Sequence, residues 1–330
     1  MKAIVPTAGR GTRLFPHTHT KPKSMVRIAG KPILGHILSG FESTAVSEVV
    51  IVVGGPMSDQ VVEYARDAYG DAFDLTFVEQ ADPEGLGHSV YQTRPVVADD
   101  PAIIVLGDML FENGYDEFLA AHDGSSAGSV GVKPVDEPEH YGVVDTYEGA
   151  VVDLIEKPSE PPSDLAITGV YVIEDTATLF DELEYLIEND VRGAGDEYQL
   201  TDALQGMTDR GCTLTTFEVD DWYDCGRPET LLEANRVTLD ETETNGGDRP
   251  TIVPPVDCGD DVTVEGSVVG PHVSLADGVT VENSVVRDSI LGREATLTDC
   301  NVARSIVGDN ATIVGESKEL DVGDNSTVEL

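Results

Sequence analysis

The densest group of residues suited to chemistry lies near the amino terminus. A short apolar segment ends at Pro6, and Ala8-Gly9-Arg10-Gly11-Thr12-Arg13 and Lys23 follow it. Glycines let backbone N–H groups converge on an anion, and arginine and lysine add positive charge. The segment therefore predicts a phosphate cradle. It is neither G-x-G-x-x-G, because Leu14 replaces the third glycine, nor a P-loop, because Gly11 precedes Thr12-Arg13.

A carboxylate at the end of a buried strand is the second chemical feature. The apolar run Ala102–Leu106 is typical of such a strand, and Gly107-Asp108 follows it. Ligands of open α/β sheets bind at the carboxyl ends of the strands, and Mg²⁺ prefers oxygen ligands. Asp108 is therefore a predicted Mg²⁺ ligand, with a helix cap as the alternative.

The opening segment continues as Pro16-x-Thr18-x-x-x-Pro22-Lys23-x-Met25 and Gly30-Lys31-Pro32. This pattern resembles the signature of sugar-1-phosphate nucleotidyltransferases, most of all the bacterial-type UTP–glucose-1-phosphate uridylyltransferases. The resemblance implies a Rossmann-like, GT-A-like α/β domain. It also implies Mg²⁺-dependent transfer of a nucleotidyl group from an NTP to a hexose 1-phosphate, giving an NDP-sugar and pyrophosphate.

The resemblance also assigns roles to individual residues. Arg13 and Lys23 would be catalytic, and Asp224, in Tyr223-Asp224-Cys225-Gly226, would join Asp108 as the second metal ligand. The nucleotide-binding residues would be Ala8, Gly9, Gly11, Thr12, Gln80 and Gly85, with Gln80 at the pyrimidine edge. The residues for the sugar phosphate would be Gly142, Glu156, Lys157, Thr168 and Gly169; we expect Lys157 to be buried beside Pro158, and His88 only to begin a helix.

The motifs favour UTP and glucose 1-phosphate as substrates. Val5-Pro6, Gly85-Leu86-Gly87-His88, Gln199-Leu200-Thr201-Asp202 and Tyr223-Asp224-Cys225-Gly226 resemble the uridylyltransferases. A dTTP-using glucose-1-phosphate thymidylyltransferase is the alternative, because a glutamine that recognises pyrimidines serves both nucleotides. A non-catalytic nucleotide-sugar sensor is an alternative of another class, but it should have lost at least one of the five residues Arg13, Lys23, Asp108, Lys157 and Asp224.

Two domains are expected from 330 residues. Apolar runs and helical patterns alternate over 1–240, with Pro32 predicted to begin a helix, and 241–250 is an acidic, glycine-containing linker. Residues 251–330 predict a hexapeptide-repeat left-handed parallel β-helix, because segments beginning at Ser267, Ser289 and Ser305 align without gaps. The uridylyltransferases that the first domain resembles lack this β-helix, whereas longer thymidylyltransferases and glucosamine-1-phosphate uridylyltransferases have one.

The charge is strongly acidic, with 62 Asp and Glu against 20 Lys and Arg and a formal net charge of -42. Such a surface repels a nucleic-acid backbone and is typical of a halophile's cytosol. Nothing resembles a signal peptide or a membrane span, so we expect a cytoplasmic protein. The four cysteines form no C-x-x-C pair and indicate free thiols. Apolar faces near Val268, Ile290 and Ile306 predict a homo-oligomer formed through the β-helix, without acetyltransferase activity.

Overall fold

The computed structural model describes residues 1–9, 11–112, 114–122, 124–220, 222–241 and 251–316. All of the predicted linker except Glu241, and the last residues of the predicted β-helix, lie outside these ranges. The chain divides into two compact units: Met1–Val26 with Lys31–Leu231, and Arg27–Gly30 with Leu232–Leu330. This division falls inside the helix Pro228–Glu241, whereas the sequence places it after residue 240.

Strands and helices alternate along residues 1–241. The strands are β1 Lys2–Pro6, β2 Arg27–Ile28, β3 Lys31–Pro32, β4 Glu48–Val53, β5 Asp74–Glu79, β6 Ala102–Val105, β7 Met109–Phe111, β8 Gly128–Pro134, β9 Gly142–Tyr147, β10 Ala150–Glu156, β11 Leu165–Ile173, β12 Leu214–Glu218 and β13 Trp222–Asp224. The helices are α1 Ile33–Phe41, α2 Ser58–Tyr69, α3 Leu86–Tyr91, α4 Arg94–Val97, α5 Tyr115–Ala121, α6 Thr176–Glu188, α7 Leu200–Asp209 and α8 Pro228–Glu241, with short 3₁₀ turns at Thr12–Leu14, Lys23–Met25, Pro138–His140 and Ala194–Asp196.

The large sheet of the first unit has the order β10-β9-β11-β6-β1-β4-β5, and β8 joins β11 to β12. Strands β6, β1, β4 and β5 are parallel to one another. The apolar residues of β6, β1 and β4 are buried, as expected for strands covered on both faces, whereas those of the edge strand β5 are half-buried. This is the Rossmann-like core that the sequence predicts. No helix among the described residues is long and apolar enough to cross a bilayer.

Helix α1 shows where a local prediction was off by one position. Pro32 lies in β3 and precedes the helix, which begins at Ile33. The apolar face is the predicted one, with Ile33, Leu34, Ile37, Leu38 and Phe41 all fully buried. Proline still sets the entry angle, but its φ and ψ of -59° and 152° are not helical.

The carboxyl ends of the parallel strands carry the predicted site residues. Thr7 follows β1, and its N–H and hydroxyl both donate to Val52 O of β4, at 2.8 and 2.7 Å. Gln80 follows β5, and Asp108 comes shortly after β6. Because these ends meet at one edge of the sheet, residues distant in sequence are brought together there.

The second unit contains a three-sided parallel β-helix. Its strands are β14 Val256–Cys258, β15 Thr263–Glu265, β16 Val268–Val269, β17 Val273–Leu275, β18 Thr280–Glu282, β19 Val285–Arg287, β20 Ser289–Leu291, β21 Thr296–Thr298, β22 Asn301–Ala303, β23 Ile306–Val307 and β24 Thr312–Val314. They form the sheets β14-β17-β20-β23, β15-β18-β21-β24 and β16-β19-β22, all parallel. Inward residues such as Val273, Val281 and Leu297 form its core. The architecture is the predicted left-handed β-helix.

The predicted alignment of the repeats was wrong for its first segment. Val268 pairs with Val285, not with Ile290, and Ser289 pairs with Val273. Later coils repeat every 16 residues, as in Ile290↔Ile306. The spacing of 22 residues from Ser267 to Ser289 is one such coil plus one side of about six residues. The first segment therefore lies on a different side from the other two.

One predicted exposed residue of the β-helix is buried. Ile290 is 5% exposed, whereas Val268 is 43% exposed. Next to Ile290 in register, Ser274 donates to Asn235 Oδ1 of α8 at 2.6 Å. The carboxyl half of α8, which belongs to the same unit, therefore covers this side of the β-helix.

Candidate active site

In the predicted phosphate cradle, Gly11 packs closely against Thr18 and Lys23, whereas Gly9 faces open space. Gly11 has φ of 59°, and a Cβ there would lie 3.1 Å from Lys23 Cβ and from Thr18 Cγ2. Thr18 donates to Gly11 O at 2.8 Å, which fixes the turn. A Cβ on Gly9 would meet nothing within 4 Å. The protein itself does not require a glycine at position 9, and the backbone there is open to a ligand.

Two aspartates and a lysine form a charged cluster beside these residues. Asp224 lies in β13, which pairs with β7, so that Asp224 is opposite Met109, the neighbour of Asp108. Lys23 Nζ lies 2.5 Å from Asp108 Oδ2 and 4.0 Å from Asp224 Oδ1. The fold thus brings together three charged residues that are far apart in sequence.

The electrostatics of this cluster favour a cation. Burial raises the pKa of Asp224 and the Asp108 charge raises it further, against the opposing effects of Lys23, the Gly226 N–H and Arg13. Within the described ranges, no group of three or more His, Cys, Asp or Glu residues is arranged to hold a metal. Mg²⁺ commonly takes one or two protein carboxylates and completes its shell with water and substrate phosphate. Asp108 and Asp224 fit that donor set.

Gln80 and Gly85 are the residues predicted to contact the pyrimidine base of the nucleotide. Gln80 is 4% exposed. Gly85 has φ of 116°, and a Cβ there would lie 2.6 Å from Tyr198 O. Tyr198 N donates to Glu84 O at 2.9 Å and Gly87 N donates to Tyr198 O at 2.8 Å. Only glycine fits this close approach of two backbones.

These residues line a cavity of about 710 Å³ within the first unit. All predicted nucleotide-binding residues contribute to its wall, as does one predicted metal ligand: Ala8, Gly9, Gly11, Thr12, Gln80, Gly85 and Asp108. The volume lies in the range of small-molecule sites.

A smaller cavity of about 260 Å³ contains most of the predicted sugar-phosphate residues. Glu156 Oε2 accepts from the Thr201 hydroxyl at 2.9 Å, and its Oε1 lies 2.9 Å from Lys157 Nζ. A Cβ on Gly142 would lie 2.9 Å from Glu156 Oε2. The glycine therefore leaves room for this carboxylate. Gly169 also lines the cavity.

The prediction that Lys157 is buried was wrong. Its side chain is 46% exposed, and its backbone has φ of 47°. Such a conformation costs a non-glycine residue of order 1–2 kcal/mol. The Lys157 N–H donates to Tyr141 O at 2.9 Å, which holds the residue in this conformation at the end of β10. Strained backbone of this kind concentrates at functional sites.

The two cavities share part of their walls. Asp108, Glu197, Leu86 and Leu106 line both. A ligand in the larger cavity and one in the smaller would therefore approach each other beside Asp108. This arrangement suits the transfer of a group from one ligand to the other.

Three further predicted site residues do not line the larger cavity. Arg13, predicted to be catalytic, lines the smaller cavity and not the larger one. Lys23 lines neither of the two cavities, but it contacts Asp108, which lines both. Thr168 is fully buried and lines neither cavity; its side chain lies beside Gly131.

Sequence reasoning gave no site role to several residues that the structure places here. Thr201 bonds to Glu156, although its segment Gln199–Asp202 was used only to judge substrate preference. Arg192 and Glu84 also line the larger cavity, joined by an ion pair of 2.9 Å. No local sequence motif identifies Arg192 or Glu84 as a site residue. Each is an ordinary charged loop residue, and only the fold brings the two together.

Comparison with known proteins agrees with this geometry. Residues 2–241 match the nucleotidyl transferase family, and the chain belongs to that family. It is therefore an enzyme that transfers nucleotidyl groups, and its relatives support activity on sugar 1-phosphates.

Individual relatives differ in how much of the chain they match. The low-salt glycan biosynthesis nucleotidyltransferase Agl11 of Haloferax volcanii is 29% identical over the whole of both chains. A glucose-1-phosphate thymidylyltransferase of Streptomyces antibioticus is 32% identical over 98% of this chain and 86% of its own. The UTP–glucose-1-phosphate uridylyltransferase AglF of Haloferax volcanii is 33% identical over 73% of this chain and 98% of its own. A crystal structure of UDP-glucose pyrophosphorylase with UDP-glucose aligns with a TM-score of 0.63 at 25% identity, over 73% of this chain and 99% of that one.

Proposed function

We propose that this protein transfers the uridylyl group of UTP to glucose 1-phosphate, giving UDP-glucose and pyrophosphate. The observation that carries the proposal is the meeting of two cavities at Asp108, one lined by the nucleotide motif and the other by Glu156 and Lys157. UTP is favoured by the uridylyltransferase-like motifs and by the similarity to AglF along nearly its whole length.

The chemistry needs no nucleophile from the protein. A phosphate oxygen of the sugar 1-phosphate attacks the α-phosphorus of UTP, the bond to the bridging oxygen breaks, and pyrophosphate leaves. The work of the enzyme is to position the substrates and stabilise charge. The backbone at Gly9, Gly11 and Thr12 would hold phosphates, Lys23 would neutralise charge beside Asp108, and Lys157 would hold the sugar phosphate.

A divalent metal is expected in this family. We propose Mg²⁺, held by Asp108 and Asp224, which are already close together around Lys23. When bound, such an ion polarises phosphate oxygens and neutralises the charge that develops on them.

A thymidylyltransferase is the second candidate. The relative from Streptomyces antibioticus matches nearly the whole chain, including the β-helix unit that AglF does not span. Thymine differs from uracil by one added methyl group. One such group in a pocket changes the activation free energy that corresponds to kcat/KM by only about 1–3 kcal/mol. We therefore expect measurable use of dTTP whichever nucleotide is preferred.

Pyrophosphate release over a matrix of NTPs and sugar 1-phosphates tests the proposal. UTP with glucose 1-phosphate should give the highest kcat/KM, and dTTP should be next. A clear preference for dTTP would favour the second candidate. Turnover only with a purine NTP, or none with any pair, would overturn both.

A further inference from the structure

The orientation of the Gln80 side-chain amide is fixed by the protein. Its nitrogen Nε2 lies 3.1 Å from Gly85 O and 3.0 Å from His88 Nδ1. A backbone carbonyl can only accept a hydrogen bond, so the group that faces Gly85 must be the NH₂ and not the amide oxygen. Gly85 thus determines which way the amide is turned.

His88 then has only one protonation form compatible with this contact. Because the Gln80 NH₂ donates, His88 Nδ1 must accept, which requires a neutral ring with its proton on Nε2. Glu84 Oε2, an acceptor, lies 3.7 Å from Nε2 and favours a proton there. The amide nitrogen of Gln92 lies 2.9 Å from Nε2, and a neutral ring cannot accept from both glutamines. The Gln80 nitrogen has the shorter carbonyl contact, 3.1 Å to Gly85 O against 3.4 Å from the Gln92 nitrogen to His88 O, so Gln92 is the amide that must turn its oxygen to the ring.

One hydrogen-bonding atom of Gln80 is left. Both amide hydrogens have acceptors, and Oε1 has no hydrogen-bond partner among the residues that the structure describes. Gln80 lines the larger cavity. A ligand that bonds to this side chain therefore meets an acceptor and must offer a donor.

We infer that His88 is a positioning residue that selects the base of the nucleotide by locking the Gln80 amide. Uracil and thymine carry a donor at N3, whereas N3 of cytosine is an acceptor. The locked amide oxygen accepts from the first two bases and repels the third. The inference rests on the proposed function, applies equally to UTP and dTTP, and predicts strong rejection of CTP.

The test compares kcat/KM for UTP and CTP, with glucose 1-phosphate fixed, in wild type, His88→Leu and His88→Asn. Leucine cannot accept from Gln80, so the amide keeps only its contact with Gly85 O and can turn its NH₂ towards a base more readily. We expect the UTP/CTP ratio to fall at least tenfold in His88→Leu, mainly through KM for UTP. Asparagine can place an oxygen near the position of Nδ1 and should restore most of the ratio. If dTTP is the better substrate, dTTP replaces UTP.

The UTP/CTP ratio separates positioning from a structural role. A structural defect lowers turnover of both nucleotides together and leaves their ratio unchanged. His122→Leu is the matched control, because His122 is buried in the same unit and bonds to Ser129 at 2.7 Å. It should not change the ratio. An unchanged ratio in His88→Leu would overturn the inference, whereas a wild type inactive with every NTP would count against the proposed function instead.

A second measurement needs no variant. Long-range ¹H–¹⁵N NMR of the unmodified protein at neutral pH reports which ring nitrogen carries the proton. His88 should show an unprotonated Nδ1 and a protonated Nε2. A proton on Nδ1 would overturn the inference even if every substitution at position 88 prevented folding.

Discussion

At the scale of single residues, we expect substitution of the paired carboxylates Asp108 and Asp224 to lower activity strongly. Asp108→Asn or Asp224→Asn should lower kcat by roughly a hundredfold or more, because each removes charge where a bound cation would stabilise the transition state. Steady-state kinetics at saturating Mg²⁺ measures this. Asp99→Asn, an exposed aspartate, is the matched control and should leave kcat unchanged. Near-wild-type kcat in either site variant would exclude that aspartate as a ligand.

Most of the residues that were predicted from type and spacing line one of the two cavities, but the orientation of every side chain could not be predicted. Thr168 and Gly169 were both assigned to the sugar, yet only Gly169 reaches the cavity. The pairing of β11 with β8 is irregular between Ile167 and Tyr171, so simple alternation along the strand does not decide which way a side chain faces there. The exposure of Lys157 could not be predicted either, because its backbone N–H is held by Tyr141 O, just before β9, and only the fold brings these two segments together.

At the scale of elements, the buried parallel strands were predictable because they are continuous apolar runs. The β-helix was predictable as a class, but its register was not. The three sides of the β-helix have similar short apolar sequence motifs. An ungapped sequence alignment can therefore match residues that lie on different sides. Only the pairing of Val268 with Val285 distinguishes them. Residues 317–330 and the linker after Glu241 lie outside the described ranges, so these predictions stay untested.

We expect Asp257 to make the stability of the β-helix unit depend on pH. Burial raises its pKa and Asp277 raises it further, while Arg27 opposes them. An acid whose pKa is raised on folding binds more protons in the folded state, so stability falls as pH rises from the unfolded value through the folded one. Asp257→Asn should therefore unfold a few degrees higher than wild type at pH 7, and the difference should shrink as pH falls towards 4.

Thermal unfolding of the intact protein between pH 4 and pH 8 measures this effect. Asp261→Asn is the control, because Asp261 is an exposed corner residue with φ of 56°, which asparagine also tolerates. It should change the midpoint little at any pH. If Asp257→Asn unfolds lower than wild type at pH 7, hydrogen bonding of the carboxylate outweighs its burial.

At the scale of the whole molecule, we expect the β-helix to drive homo-oligomerisation. Val268 and Val285 are neighbours in register and are 43% and 40% exposed, which leaves apolar surface on one side. Val268→Lys with Val285→Lys should lower the mass in solution by light scattering, as should truncation at Asp248. The control is Thr263→Lys, because Thr263 is exposed and lies on another side of the β-helix; this variant should not lower the mass. An unchanged mass in both, or acetyl transfer from acetyl-CoA by the intact protein, would contradict the assigned role.

From the net charge of -42 we expect the folded protein to require salt. Repulsion among 62 acidic side chains, opposed by only 20 basic ones, destabilises the compact state. The Debye length falls from about 10 Å at 0.1 M salt to about 3 Å at 1 M, so screening should remove most of this repulsion. The unfolding midpoint should rise steeply over that range and then level off.

The choice of salt identifies the cause of the rise. Screening depends on ionic strength alone, so a chaotropic sodium salt should give the same initial rise as KCl. Exclusion of a kosmotropic salt from the surface would instead stabilise in proportion to concentration and only for that salt. A midpoint that stays flat from dilute buffer upward would show that the acidic residues are spaced widely enough for water alone to accommodate them.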